Sequence, residues 1–177
     1  MVRYYEKIPN YDTITTLPEE NANYIKEALP NVDSCNSMLY SCEKLTSIDT
    51  TGWITSKVTN MDGMFYNCKA LTTLGVSNWN TSNVTSMDSI FSNCESLTTL
   101  DLSKWDTSNV IYMSYMFRYC NALTTIKGVI DMKSCTSYYN MFGYCNNLTG
   151  VKIKNPPSGF TNDYALEISF GKIVIVQ

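Results

Sequence analysis

Histidine is absent from this 177-residue chain. That removes the commonest general base and the commonest metal ligand at neutral pH. Charged residues make up only 16% of the sequence, well below the usual quarter. Thr, Ser and Asn must therefore supply most of the polar surface. The net charge of −3 offers no basic field to attract nucleic acid or anionic lipid. No apolar run approaches the length of a membrane-spanning helix, so membrane insertion is not expected. Residues 1–7 carry no apolar stretch of the kind a secretory signal needs. No Cys-x-x-Cys, no Gly-x-Ser-x-Gly and no phosphate-cradling glycine loop occurs. The expectation is a non-enzyme with no cofactor and no metal site.

What the chain does have is repetition. Cys42, Cys68, Cys94 and Cys120 stand 26 residues apart, and Cys145 follows after 25. Trp53, Trp79 and Trp105 keep the same step. A fixed period of this size marks a stack of supersecondary units, each burying its apolar stripe against its neighbours. The clearest copy opens with Leu97-Thr98-Thr99-Leu100-Asp101-Leu102. Its alternation predicts a short strand with Leu97, Leu100 and Leu102 inward. A polar turn follows, Ser103 to Asn109. Val110, Met113, Met116, Phe117 and Cys120 then recur at helical spacing, which predicts a helix over 111–120. Thr59 with Asp62, and Thr85 with Asp88, read as capping boxes of two such helices.

The string Trp105-Asp106-Thr107-Ser108-Asn109-Val110, with Met113, Met116, Phe117 and Cys120 after it and then Leu123-Thr124-Thr125-Ile126, resembles the BspA-like leucine-rich repeat of bacterial surface proteins. Residues 53–74 and 79–100 match nearly as well, and the outer copies are degraded. The resemblance implies an α/β solenoid of about five strand–turn–helix units, with a short parallel sheet on one side and short helices on the other. It also implies adhesion or protein binding. The expected divisions are an N-terminal cap or anchoring segment at 1–30, a leucine-rich-repeat solenoid at 31–154 and a C-terminal cap at 155–177.

All seven cysteines fall in core columns of the aligned copies. Cys35 replaces Met61, Met87 and Met113, and Cys135 replaces Val58, Val84 and Val110. Packing, not ligation, is the expected role. The outward strand positions are Ser47 and Asp49, Thr73 and Gly75, Thr99 and Asp101, Thr125 and Lys127, and Gly150 and Lys152. That face is small and polar, and a weakly bound glycan is one partner it would suit.

Tyrosine is distributed unevenly. Tyr112, Tyr115, Tyr119, Tyr139 and Tyr144 lie in the last two copies, where earlier copies have Asn, Ser, Gly or Asp. Tyr138 falls in the Met113 column and reads as core. Clustered exposed tyrosines are the candidate binding residues, because Tyr is enriched at interface hot spots. The alternative is that the C-terminal tail folds over them.

The ends do not follow the repeat. Glu19 to Ala28 predicts one helix after Pro18. Tyr4, Tyr5, Ile8, Tyr11, Ile14 and Leu17 are many apolar groups for a tail. Ala165 to Phe170 and Ile173 to Val176 flank Gly171-Lys172, a hairpin signal. The last of these should cap the final repeat or pair with another chain. The functional expectation is an interaction or adhesion module of a microbial surface, extracellular if the chain is an excised domain. The alternative is a structural or host-binding subunit of a larger assembly such as a phage virion. Either way the partner is a protein or a second copy of the chain.

Overall fold

The computed structural model describes residues 11–160 and 173–177. The repeats wind into a parallel β-solenoid of five coils. On one side run short strands: β1 (Ser47–Ile48), β2 (Thr73–Leu74), β3 (Thr99–Asp101), β4 (Thr125–Lys127), β5 (Val129–Asp131), β6 (Val151–Lys154) and β7 (Ile173–Val176). β1 pairs with β2, β3 with β4, and β5, β6 and β7 form a third sheet, all in parallel. On the other side a second ladder of single parallel bridges joins Ser34, Asn60, Ser86, Tyr112 and Ser137.

The helix expected over 111–120 is not there, nor are its counterparts. Among the described residues the single α-helix is α1 (Glu19–Ala28), where the sequence places it. The repeat segment is a chain of tight turns whose backbone bonds leave the coil. The N–H groups of Met61, Gly63, Phe65 and Asn67 donate to the carbonyls of Ser86, Asp88, Ile90 and Ser92 in the next coil, at 2.8–3.0 Å. The N–H groups between them, on Met64, Tyr66 and Cys68, reach back three residues within their own coil. An α-helix would send every one of them back four residues. The left-handed backbone at Gly63 (φ 57°) and Asn67 (φ 63°) enforces the difference, since such residues do not occur inside helices. The apolar stripe survives because both geometries bring the same positions inward.

The capping boxes dissolve for the same reason. The Thr59 hydroxyl donates to the Asp33 carbonyl of the preceding coil, and Thr85 does the same to Thr59. Asp62 turns to the following coil, where it accepts from the Ser86 hydroxyl and the Asp88 N–H. Polar side chains thus join coils, where a helix cap would close an end.

The core is a set of columns. Met64, Ile90, Met116 and Met141 form one, and Phe65, Phe91, Phe117 and Phe142 the next, all fully buried. The four phenylalanine rings stack at 6.0, 5.7 and 5.3 Å. Trp53, Trp79 and Trp105 stack at 5.7 and 6.1 Å. All seven cysteines are buried and free. The thiols of Cys68, Cys94, Cys120 and Cys145 donate to the carbonyls of Leu39, Phe65, Phe91 and Phe117, each in the coil before. Burial pushes the Cys94 thiol up to about 12, so thiolate chemistry is suppressed.

The strand face keeps its expected outward residues with one correction. Asp101 stands opposite Lys127, but Lys152 stands opposite Val129, not Lys127. The chain inserts Gly128 between β4 and β5, with φ 101°. A Cβ there would lie 2.8 Å from the Leu102 carbonyl, so only glycine fits. Asp49 and Asp101 bind the N–H groups of Thr51 and Ser103, holding their own turns.

At the ends, Thr16 bridges to Ser47, and Tyr11, Ile14 and Leu17 pack on the core. Tyr4, Tyr5 and Ile8 lie outside the described residues, as does the Ala165–Phe170 arm of the expected hairpin with its Gly171-Lys172 turn. β7 itself lies parallel on β6 and extends the last sheet.

Candidate interaction site

Each coil places two residues in left-handed backbone within its turn segment. The first column is Ser37, Gly63, Ser89, Tyr115 and Asn140, and the second is Ser41, Asn67, Asn93, Tyr119 and Tyr144. Gly and Asn are ordinary occupants of this conformation; a bulky ring there is an outlier. Left-handed backbone costs an L-residue roughly 1–2 kcal/mol. Tyr115 (φ 59°), Tyr119 (φ 61°) and Tyr144 (φ 63°) therefore sit where the fold itself prefers something else.

The three rings, joined by Tyr139, form one cluster. Tyr119 and Tyr144 stack at 4.4 Å with planes 11° apart. Tyr115 meets Tyr139 edge-on at 5.4 Å. Among the described residues Tyr112 makes no ring contact with these four; it is exposed and bridges Ser86 and Ser137. Tyr139 is 53% exposed and Tyr144 38%. Of the described tail, Phe160 meets Tyr138, which packs against the core.

Arg118 lies at the centre of the cluster, and sequence reasoning missed it. Its guanidinium carbon is 4.5 Å from the Tyr119 ring centroid, 5.3 Å from Tyr115 and 5.9 Å from Tyr144. One terminal nitrogen donates to the Tyr119 hydroxyl at 3.3 Å. Its Nε is buried and finds no acceptor. The signal was available, since Arg118 sits between two of the tyrosines that break the repeat's polar pattern.

A second missed pair is Tyr40 and Tyr66, stacked at 4.8 Å with planes 10° apart. Backbone bonds from Ser41 to Tyr66, Asn67 to Ser92 and Asn93 to Arg118 put Tyr40, Tyr66, Ser92 and Arg118 in one column. Two aromatic patches thus lie on the same line down the solenoid.

The neighbouring polar ladder runs through Asp62 and Asp88. Asp88 accepts the Ser114 N–H at 2.6 Å. Burial pushes its carboxyl above the usual range, and the nearby Asp62 adds to this, while the Ser114 bond pulls the other way. An open cleft of about 210 Å³ borders Tyr139, lined by Thr136, Ser137 and Tyr138. The cluster holds rings, hydroxyls and one cation. Tyr and Arg are residue types enriched at interface hot spots in general, and Arg over tyrosine adds cation–π attraction.

Residues 33–155 match the family model described as Mycoplasma protein of unknown function, DUF285. The chain belongs to this family. The DUF285 match spans the coils and includes the whole tyrosine–arginine cluster. No curated protein and no solved structure matches the chain. Among the described residues no helix is long and apolar enough to cross a membrane.

Proposed function

We propose that this DUF285 chain is a non-enzymatic protein-interaction module of a microbial surface, and that it grips its partner through Tyr115, Tyr119, Tyr139, Tyr144 and Arg118. One observation carries the reading. Three tyrosines occupy left-handed positions that earlier coils fill with Gly, Ser and Asn. Backbone strain at a bulky residue marks a place where something other than stability is favoured. The resemblance of the repeat to the BspA-like type, a repeat of surface proteins, supports the same reading.

The test restores the residues of the earlier coils. A chain carrying Tyr115→Gly, Tyr119→Asn and Tyr144→Asn should melt at or above the temperature of the unaltered chain. It should lose binding on a protein array and lose any concentration-dependent native mass. Array binding that persists in this variant at full strength would remove the cluster as the site.

A second reading rests on β7. Among the described residues it is the last strand of its sheet, and Val174 and Ile175 are 50% and 48% exposed. An apolar edge of this kind invites strand pairing with another chain, which suits a subunit of a larger assembly. Val174→Lys with Ile175→Lys should then lower the native mass and leave array binding intact.

A further inference from the structure

We infer that the partner presents an extended acidic peptide segment, laid along the solenoid axis from Tyr40 and Tyr66 to Arg118. This rests on the interaction reading above and specifies its ligand. Successive coils are about 4.8 Å apart where they pair in parallel. Tyr40 and Arg118 occupy one column three coils apart, so the line between them is about 14 Å. An extended chain covers that in four or five residues.

The acidic character follows from Arg118. Among the described residues the ion pair is Lys69 with Glu43, at 3.1 Å, and no carboxylate meets Arg118. The guanidinium carbon already lies within 6 Å of three tyrosine ring centroids. It keeps terminal N–H groups beyond the one given to Tyr119. A cation preorganised in this way takes a carboxylate through paired N–H bonds. The tyrosine hydroxyls stand beside it as further donors.

A peptide suits the rings better than a sugar. Sugars stack on open aromatic faces, but Tyr119 has Tyr144 against it and Arg118 over it. Tyr115 has Arg118 over it and meets Tyr139 edge to face. The ring faces nearest Arg118 are therefore already covered. At the other end the stacked Tyr40–Tyr66 pair, with Tyr40 38% exposed, would take an apolar side chain of the same segment.

The test is a displayed library of short random peptides panned against the full chain. Enriched peptides should carry Asp or Glu a few residues from an apolar side chain. The Arg118→Gln chain should bind them about tenfold more weakly. Raising the salt should weaken the unaltered chain and leave the Arg118→Gln chain little changed. Tyr40→Ser with Tyr66→Ser should remove the apolar preference and keep the acidic one. Both variants must melt like the unaltered chain. Enrichment of neutral peptides that still need Tyr119 and Tyr144 would overturn the acidic segment and leave the interaction site standing. Binding on a glycan array with no peptide enriched would overturn both.

Discussion

Coils two and three carry Gly63, Asn67, Ser89 and Asn93 at their left-handed positions; coils four and five carry Tyr115, Tyr119, Asn140 and Tyr144. The backbone does not register the change. Its φ angles are 57°, 63°, 56° and 61° in the first set and 59°, 61°, 52° and 63° in the second. The coil-to-coil bonds are the same as well: Asn67 donates to Ser92 at 2.8 Å, and Tyr119 to Gly143 at 2.8 Å. The inward columns hold the frame rigidly enough that the outward columns can be spent on something else. A tyrosine that is unsuited to its own backbone survives there because its neighbours fix the backbone for it.

The comparison predicts a sharp inequality between inward and outward substitutions. Phe117 is fully buried and stacks on both Phe91 and Phe142. Phe117→Ala should cost about 3–5 kcal/mol in chemical denaturation, because it leaves a cavity the stack cannot close. A cost below about 1 kcal/mol would mean that the ring column is not what holds the coils together.

Next in size is Gly63→Ala. The added Cβ meets only ordinary contacts, at 3.6 Å from Ser37 and Tyr66, so the loss isolates the left-handed strain at about 1 kcal/mol. Smaller still is the combined Tyr119→Asn and Tyr144→Asn change. It removes a ring stack worth about 0.5–1.5 kcal/mol and relieves strain of similar size. The melting temperature should stay nearly fixed while binding falls. A collapse of stability would place these rings with the structural columns and end the contrast between the two halves.

The smallest effect concerns pH. Burial raises the Asp88 carboxyl above its unfolded value. The folded state then holds its proton more tightly than the unfolded chain does. Its stabilising contribution is full below the unfolded value and is lost as pH rises through the raised one. Asp88→Asn should flatten that part of the stability curve. Denaturation midpoints collected across the acidic range would show it, and a stability that rises there through Asp88 would contradict the sign.

The period, the inward columns and the buried cysteines were legible in the sequence, because stacking repeats the same burial in every copy. The backbone was not. Val110, Met113, Met116, Phe117 and Cys120 fit a helical stripe and a turn ladder equally well. The deciding signal was in the left-handed columns, where Gly63, Asn67, Asn93 and Asn140 are residues that tolerate positive φ. Thr59 and Asp62 misled for a related reason. A local pattern of three residues cannot say whether its polar groups turn to their own coil or to the next. Four of the five tyrosines named from sequence fall in one cluster. Arg118 was within reach, lying between Tyr115 and Tyr119 in the sequence, whereas the Tyr40–Tyr66 pair becomes meaningful only when coils are laid in register.

The cross-coil bonding has one more consequence. Each coil presents to the next the same donors and acceptors that it receives from the one before. The units are therefore interchangeable parts, and a gene that duplicates or drops a stretch of 26 codons would change the length of the rod without a new folding problem. Under the proposed function, recognition would diversify by shuffling whole coils past one another, moving tyrosines and charges in steps of a single coil.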